Sequence, residues 1–76
     1  VKIYPNPAKD AFTISLSNIS KANITIYNTL GKTIYKGSTL NGNLKIENNN
    51  QFTPGLYMVK AVTNDYKIYH TKLIIQ

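Results

Sequence analysis

Apolar and polar residues alternate with a period of two along most of the chain. Phe12, Ile14 and Leu16 share one side of residues 12–17, with Thr13, Ser15 and Ser17 on the other. Ala22, Ile24 and Ile26 repeat the pattern over 22–27. Residues 32–36 and 44–46 are shorter segments of the same kind. Such alternation predicts antiparallel strands with one buried face. Residues 56–63 are apolar on both faces over most of their length, which predicts a central strand, and residues 66–75 form a long last strand ending in Leu73, Ile74 and Ile75. No stretch sustains a helical period.

The breaks between these segments have chemical causes. Gly31, after Asn28-Thr29-Leu30, accepts positive φ at no steric cost. Asn41-Gly42 is a tight-turn pair. Pro54 presets φ for a corner and Gly55 supplies the permissive next position. Asn64-Asp65 reads as the hairpin tip before the last strand. Residues 48–51 are Asn-Asn-Asn-Gln, a polar loop with little to pack. Near the start, Tyr4-Pro5-Asn6-Pro7 places two prolines around an asparagine. Each proline removes a donor and pushes its predecessor out of helix. This predicts a stiff, extended entrance to the first full strand, with Asn6 bonding neighbouring backbone to fix the bend. The sum is an all-β protein: a single immunoglobulin-like antiparallel β-sandwich of about seven short strands, spanning residues 1–76 as one domain.

Length and composition narrow the function classes. A chain of 76 residues hides only about 60% of the surface that its unfolded form exposes. It has no cysteine, hence no disulfide, thiolate nucleophile or thiolate metal ligand. It opens on Val1 with no signal-like segment, so it reads as a piece cut from a longer protein. The net charge is +6, and all nine basic residues are lysines. Nucleic-acid readers lean on the two-pronged guanidinium of arginine, which is missing here. Scattered lysines on strands fit a solvated surface that resists edge pairing, and no nucleic-acid partner is expected.

Reactive groups are sparse. His70 stands alone within the last strand, and nothing in the sequence gathers Asp10, Glu47 and Asp65. Neither a nucleophile elbow nor a phosphate-cradling loop is present. Asp10 with Asn6 falls short of the six or more oxygens that calcium takes. No catalytic residue, metal or cofactor is expected. Tyr57, just after the Pro54-Gly55 corner, is expected to bury its ring and aim its hydroxyl at nearby backbone. The other tyrosines fit strand positions.

Three blocks in order carry a resemblance that covers essentially the whole chain: Tyr4-Pro5-Asn6-Pro7-Ala8, then Ile26-Tyr27-Asn28 with Gly31-Lys32, then Gly55-x-Tyr57-x-Val59, followed by the closing Lys72-Leu73-Ile74-Ile75-Gln76. In this the chain resembles the type A C-terminal sorting domain (Por secretion family) of the type IX secretion system of Bacteroidota. The resemblance implies a non-catalytic targeting domain that directs an N-terminally fused cargo across the outer membrane. It implies transit through the periplasm, then delivery to the cell surface or release. The implied partners are an outer-membrane barrel carrier, the translocon and a sortase-like peptidase that removes the tag. Recognition would fall on Gly55, Tyr57, Val59 and Lys60 and on Lys72, Leu73, Ile74, Ile75 and Gln76, with Tyr4, Pro5, Asn6 and Pro7 marking the domain's N-terminal boundary. Strand geometry suggests one route: a carrier extends the exposed end of the last strand while apolar side chains fill its pockets. The alternative is a carbohydrate-binding or adhesive β-sandwich appended to a secreted enzyme, which would show coplanar exposed tyrosines around a groove.

Overall fold

The computed structural model of the chain describes residues 1–17, 21–39 and 41–76. Seven strands form two antiparallel sheets: β1 (Lys2–Tyr4), β2 (Ala11–Ser15), β3 (Ala22–Asn28), β4 (Thr33–Ser38), β5 (Asn43–Glu47), β6 (Gly55–Thr63) and β7 (Ile68–Ile75). One sheet has the order β1-β2-β5 and the other β4-β3-β6-β7. The alternation dictates the core. Ile3, Phe12, Ile14 and Ile46 from the three-stranded sheet meet Ile24, Ile26, Tyr57, Val59, Ala61, Leu73 and Ile75 from the four-stranded one. Phe52 completes this core from the loop before β6, edge to face with Phe12 at 5.6 Å and with Tyr57 at 5.4 Å. The doubly apolar β6 is central, as its pattern predicts.

Several local expectations change. β1 escapes period counting because it has three residues and runs into Pro5, yet Ile3 is buried and pairs opposite Ile14. The segment expected over 32–36 runs on through Gly37 to Ser38, and the ring of Tyr35 covers Gly37 so closely that a Cβ there would sit 2.9 Å from the Tyr35 hydroxyl. Asn41 and Gly42 both have positive φ, 52° and 81°, as their turn chemistry suggests. They carry the chain from one sheet to the other instead of closing a hairpin. β7 begins at Ile68, not Tyr66, because Tyr66 takes a φ of 63° in the turn from β6. Residues 5–7 bend instead of running extended, and both proline peptide bonds there are cis.

Candidate recognition surface

The two ends of the chain meet. Asn6 bonds not its neighbours but the last strand. Its Nδ2 donates to the Lys72 carbonyl at 3.0 Å, and its Oδ1 accepts from the Ile74 amide at 3.0 Å. A side-chain amide carries the same donor and acceptor as a peptide group, so Asn6 acts as an added residue of sheet. Ala8 extends the pairing: its amide donates to Ile74 O at 2.8 Å and its carbonyl accepts from Gln76 N at 2.8 Å. The boundary block and the closing block therefore form one structural unit.

This arrangement corrects the edge expected to be open. From Lys72 to Gln76 the outer rim of β7 is already occupied by residues 6–8. Nearer the hairpin, Ile68 and His70 turn the equivalent backbone groups outward by strand alternation, and no strand of the sheet lies beyond them. Burial also sorts the nine expected recognition residues. Tyr57, Val59, Leu73 and Ile75 are in the core. Leu73 and Ile75 therefore cannot fill a partner's pockets while the domain is folded. Gly55, Lys72, Ile74 and Gln76 are exposed and Lys60 is half-buried. Leu56 and Ile74, directly opposite each other and 43% and 45% exposed, make an apolar pair on the outer face of the four-stranded sheet.

The corner before β6 is built as its chemistry suggests. Gly55 has a φ of 152°, which excludes most side chains. The buried Tyr57 donates its hydroxyl to the Thr53 carbonyl at 2.7 Å. Two asparagines that composition alone passes over also anchor turns. Asn28 Oδ1 accepts from the amides of Leu30 and Lys32, each at 3.0 Å. Asn48 Oδ1 accepts from Phe52 N at 2.8 Å, and its Nδ2 donates to the carbonyls of Lys9 at 3.1 Å and Phe52 at 3.2 Å. The polar loop expected to have little to pack thus fixes Phe52 over the core.

Acidic groups are arranged as follows. Asp10 and Glu47 are brought to one open depression with Lys9 and residues 48–50, contrary to the expectation that they stay apart. No cluster of three or more metal-ligating side chains exists among the described residues. Asp65 accepts a short hydrogen bond from the Thr63 hydroxyl and lies 3.7 Å from the Lys67 ammonium. The hydroxyl, aided by Lys67, holds its carboxyl below the ordinary value. The tyrosines form no common platform: Tyr57 is in the core, Tyr35 and Tyr69 pack against it, Tyr27 is half-buried on β3, and Tyr4 and Tyr66 are exposed at the end of β1 and in the β6–β7 turn.

Two packed antiparallel sheets whose terminal blocks are bound together define a small β-sandwich domain. Residues 2–76 match the family described as the secretion system C-terminal sorting domain, and the chain belongs to that family. It is 44% identical over 75 residues to an ulvan lyase, NLR42, of Nonlabens ulvanivorans, and 40% identical over 76 residues to an endo-acting ulvan lyase of Formosa agariphila. These matches cover 99% and 100% of the chain but only 14% and 15% of the relatives. The fold also resembles part of PorZ, an essential bacterial surface component of the type IX secretion system of Porphyromonas gingivalis. That match has a TM-score of 0.81 and 20% identity, and it covers all of this chain and 11% of the other. The chain is accordingly a non-catalytic targeting domain of type IX secretion, which engages the secretion machinery and marks its carrier for the cell surface or the medium.

Proposed function

We propose that the machinery reads the folded unit made where the two terminal blocks join. The exposed members of the motif set, Gly55, Lys72, Ile74 and Gln76, form the contact surface together with the half-buried Lys60. The buried members, Tyr57, Val59, Leu73 and Ile75, hold that surface in shape. The partner is an outer-membrane barrel carrier that passes the domain to the translocon after periplasmic transit. A sortase-like peptidase then removes it, and an N-terminally fused cargo is anchored or released. One observation supports this most: Asn6 and Ala8 bind the backbone of Lys72, Ile74 and Gln76. The tag's connection to its cargo and its closing strand are thus one object, which a receptor can read as folded.

The test is export of a reporter fused ahead of residue 1, comparing Lys72→Gln/Ile74→Ser with the parent. Both side chains are exposed, so the domain still folds. The reading expects the variant reporter to accumulate inside the envelope, and equal delivery to the surface or medium overturns it.

A further inference from the structure

The outer face of the four-stranded sheet carries a row of polar side chains of which only Lys60 belongs to the proposed targeting surface. In the sheet register, Lys36 of β4 lies opposite Thr25 of β3, Thr25 opposite Lys60 of β6, and Lys60 opposite His70 of β7. These four side chains form one row across all four strands. At the usual strand separation the row spans about 14 Å. With Tyr27, Gly31 and Thr33 they line an open groove of about 360 Å³. No carboxylate shares this face. The chain's three are Asp10 before β2, Glu47 in the other sheet and Asp65 at the β6–β7 turn, where it pairs with Lys67. Among the described residues, Lys36 and Lys60 have no ion-pair partner, so their field faces outward uncompensated.

We propose that this row is a binding site for a polysaccharide carrying carboxylate or sulfate groups. Two ammonium groups two strands apart, about 10 Å, complement an extended chain with repeated anionic substituents. The hydroxyls of Thr25 and Thr33 and the ring of Tyr27 offer what sugar hydroxyls and pyranose faces need. An acidic protein is a poorer fit. Stable protein interfaces centre on buried aromatic or aliphatic anchors, whereas the apolar pairs here, Leu56 with Ile74 and Val62 with Ile68, lie at opposite ends of the face. Nucleic acid is disfavoured by the absence of arginine. The site shares Lys60 with the proposed targeting surface, but it concerns binding by the domain itself and does not rest on the export reading.

The test uses the 76-residue chain, titrated at about 150 mM salt with dextran sulfate, polygalacturonate, neutral dextran, polyglutamate and duplex DNA. Two double variants remove the same charge from different faces: Lys36→Gln/Lys60→Gln from the row, and Lys2→Gln/Lys45→Gln from the three-stranded sheet. The expected result is binding to dextran sulfate, polygalacturonate or both, and none to neutral dextran. The row variant loses about tenfold or more and the control variant about twofold or less. Binding to only one acidic polysaccharide supports the site and assigns its anion. Equal losses in the two variants, no binding to either acidic polysaccharide, binding to neutral dextran as tight as to them, or equal or tighter binding to polyglutamate or DNA overturns the proposal. Lys36→Gln alone, which leaves every proposed targeting residue in place, should weaken polysaccharide binding while reporter export stays at the parent's level, and parent-level polysaccharide binding by it overturns the proposal.

Discussion

Asn6 and Ile74, 68 positions apart in sequence, are joined by a 3.0 Å hydrogen bond from the Ile74 amide to the Asn6 side-chain oxygen. With the bond from Asn6 Nδ2 to the Lys72 carbonyl, it makes one asparagine a surrogate strand residue. Removing two such bonds at an exposed site costs about 1–2 kcal/mol. Asn6→Ala is therefore expected to lower the melting temperature by about 4–16 °C, given the 4–8 °C per kcal/mol typical of domains this size. It should also expose the amides of Ile74 and Gln76 to faster hydrogen exchange. An unchanged melting temperature and unchanged exchange would show that the closing strand does not depend on this clamp.

Leu73 and Ile74 are neighbours with opposite fates. Leu73 is fully buried, so Leu73→Ala should cost about 2–5 kcal/mol through lost transfer energy and a residual cavity. For a domain this small that is a large share of its total stability. Ile74 is 45% exposed, and Ile74→Ser should change stability by about 0.5 kcal/mol or less. Urea titration of the two variants distinguishes them, and similar midpoints would contradict the assigned strand facing.

The aromatic run Phe12, Phe52, Tyr57 anchors the loop before β6. Tyr57→Phe keeps the packing but strands the Thr53 carbonyl, at a cost of about 1 kcal/mol. Phe52→Ala empties the centre of the run and should cost about 3–5 kcal/mol. The ordering of the two in a thermal melt checks that the ring, more than the hydroxyl, holds the corner.

Asp65 gives the fold an acid-sensitive contribution. Its carboxyl is held below the ordinary 3.8, first by the Thr63 hydroxyl, then by its own backbone amide and by Lys67. A depressed folded-state value means that the carboxylate stabilises the fold fully above the ordinary value. That contribution is lost as pH falls through the folded one. Asp65→Asn should melt below the parent at about pH 6, with the gap closing towards about pH 2. The two proteins share every other carboxylate, so a gap that widens in acid would contradict the assignment.

Much of this fold is legible in short-range pattern. Period-two runs locate β2 through β5, the two-sided apolar run identifies β6 as central, the long segment with its apolar end gives β7, and Gly31, Pro54-Gly55 and Asn64-Asp65 mark turns. What escapes is non-local. Nothing near Asn41-Gly42 says that the next strand joins the other sheet, and β1 is too short to show a period. Asn6, Asn28 and Asn48 look alike in composition, yet each satisfies a different set of backbone groups fixed by the finished fold. The closing residues read as a uniform apolar tail. Only the pairing of β7 with β6 turns Leu73 and Ile75 inward and leaves Ile74 outside.

The central claim is that the export machinery reads the exposed surface of a folded unit, not a linear tail. Quantifying surface-delivered reporter for Lys72→Gln/Ile74→Ser, alongside Lys2→Gln/Lys45→Gln and the parent, tests it most directly. With all three domains shown to be folded by their melting curves, the account expects the first variant to be retained and the second to be exported like the parent. Normal export of the first, or equal retention of both, contradicts it.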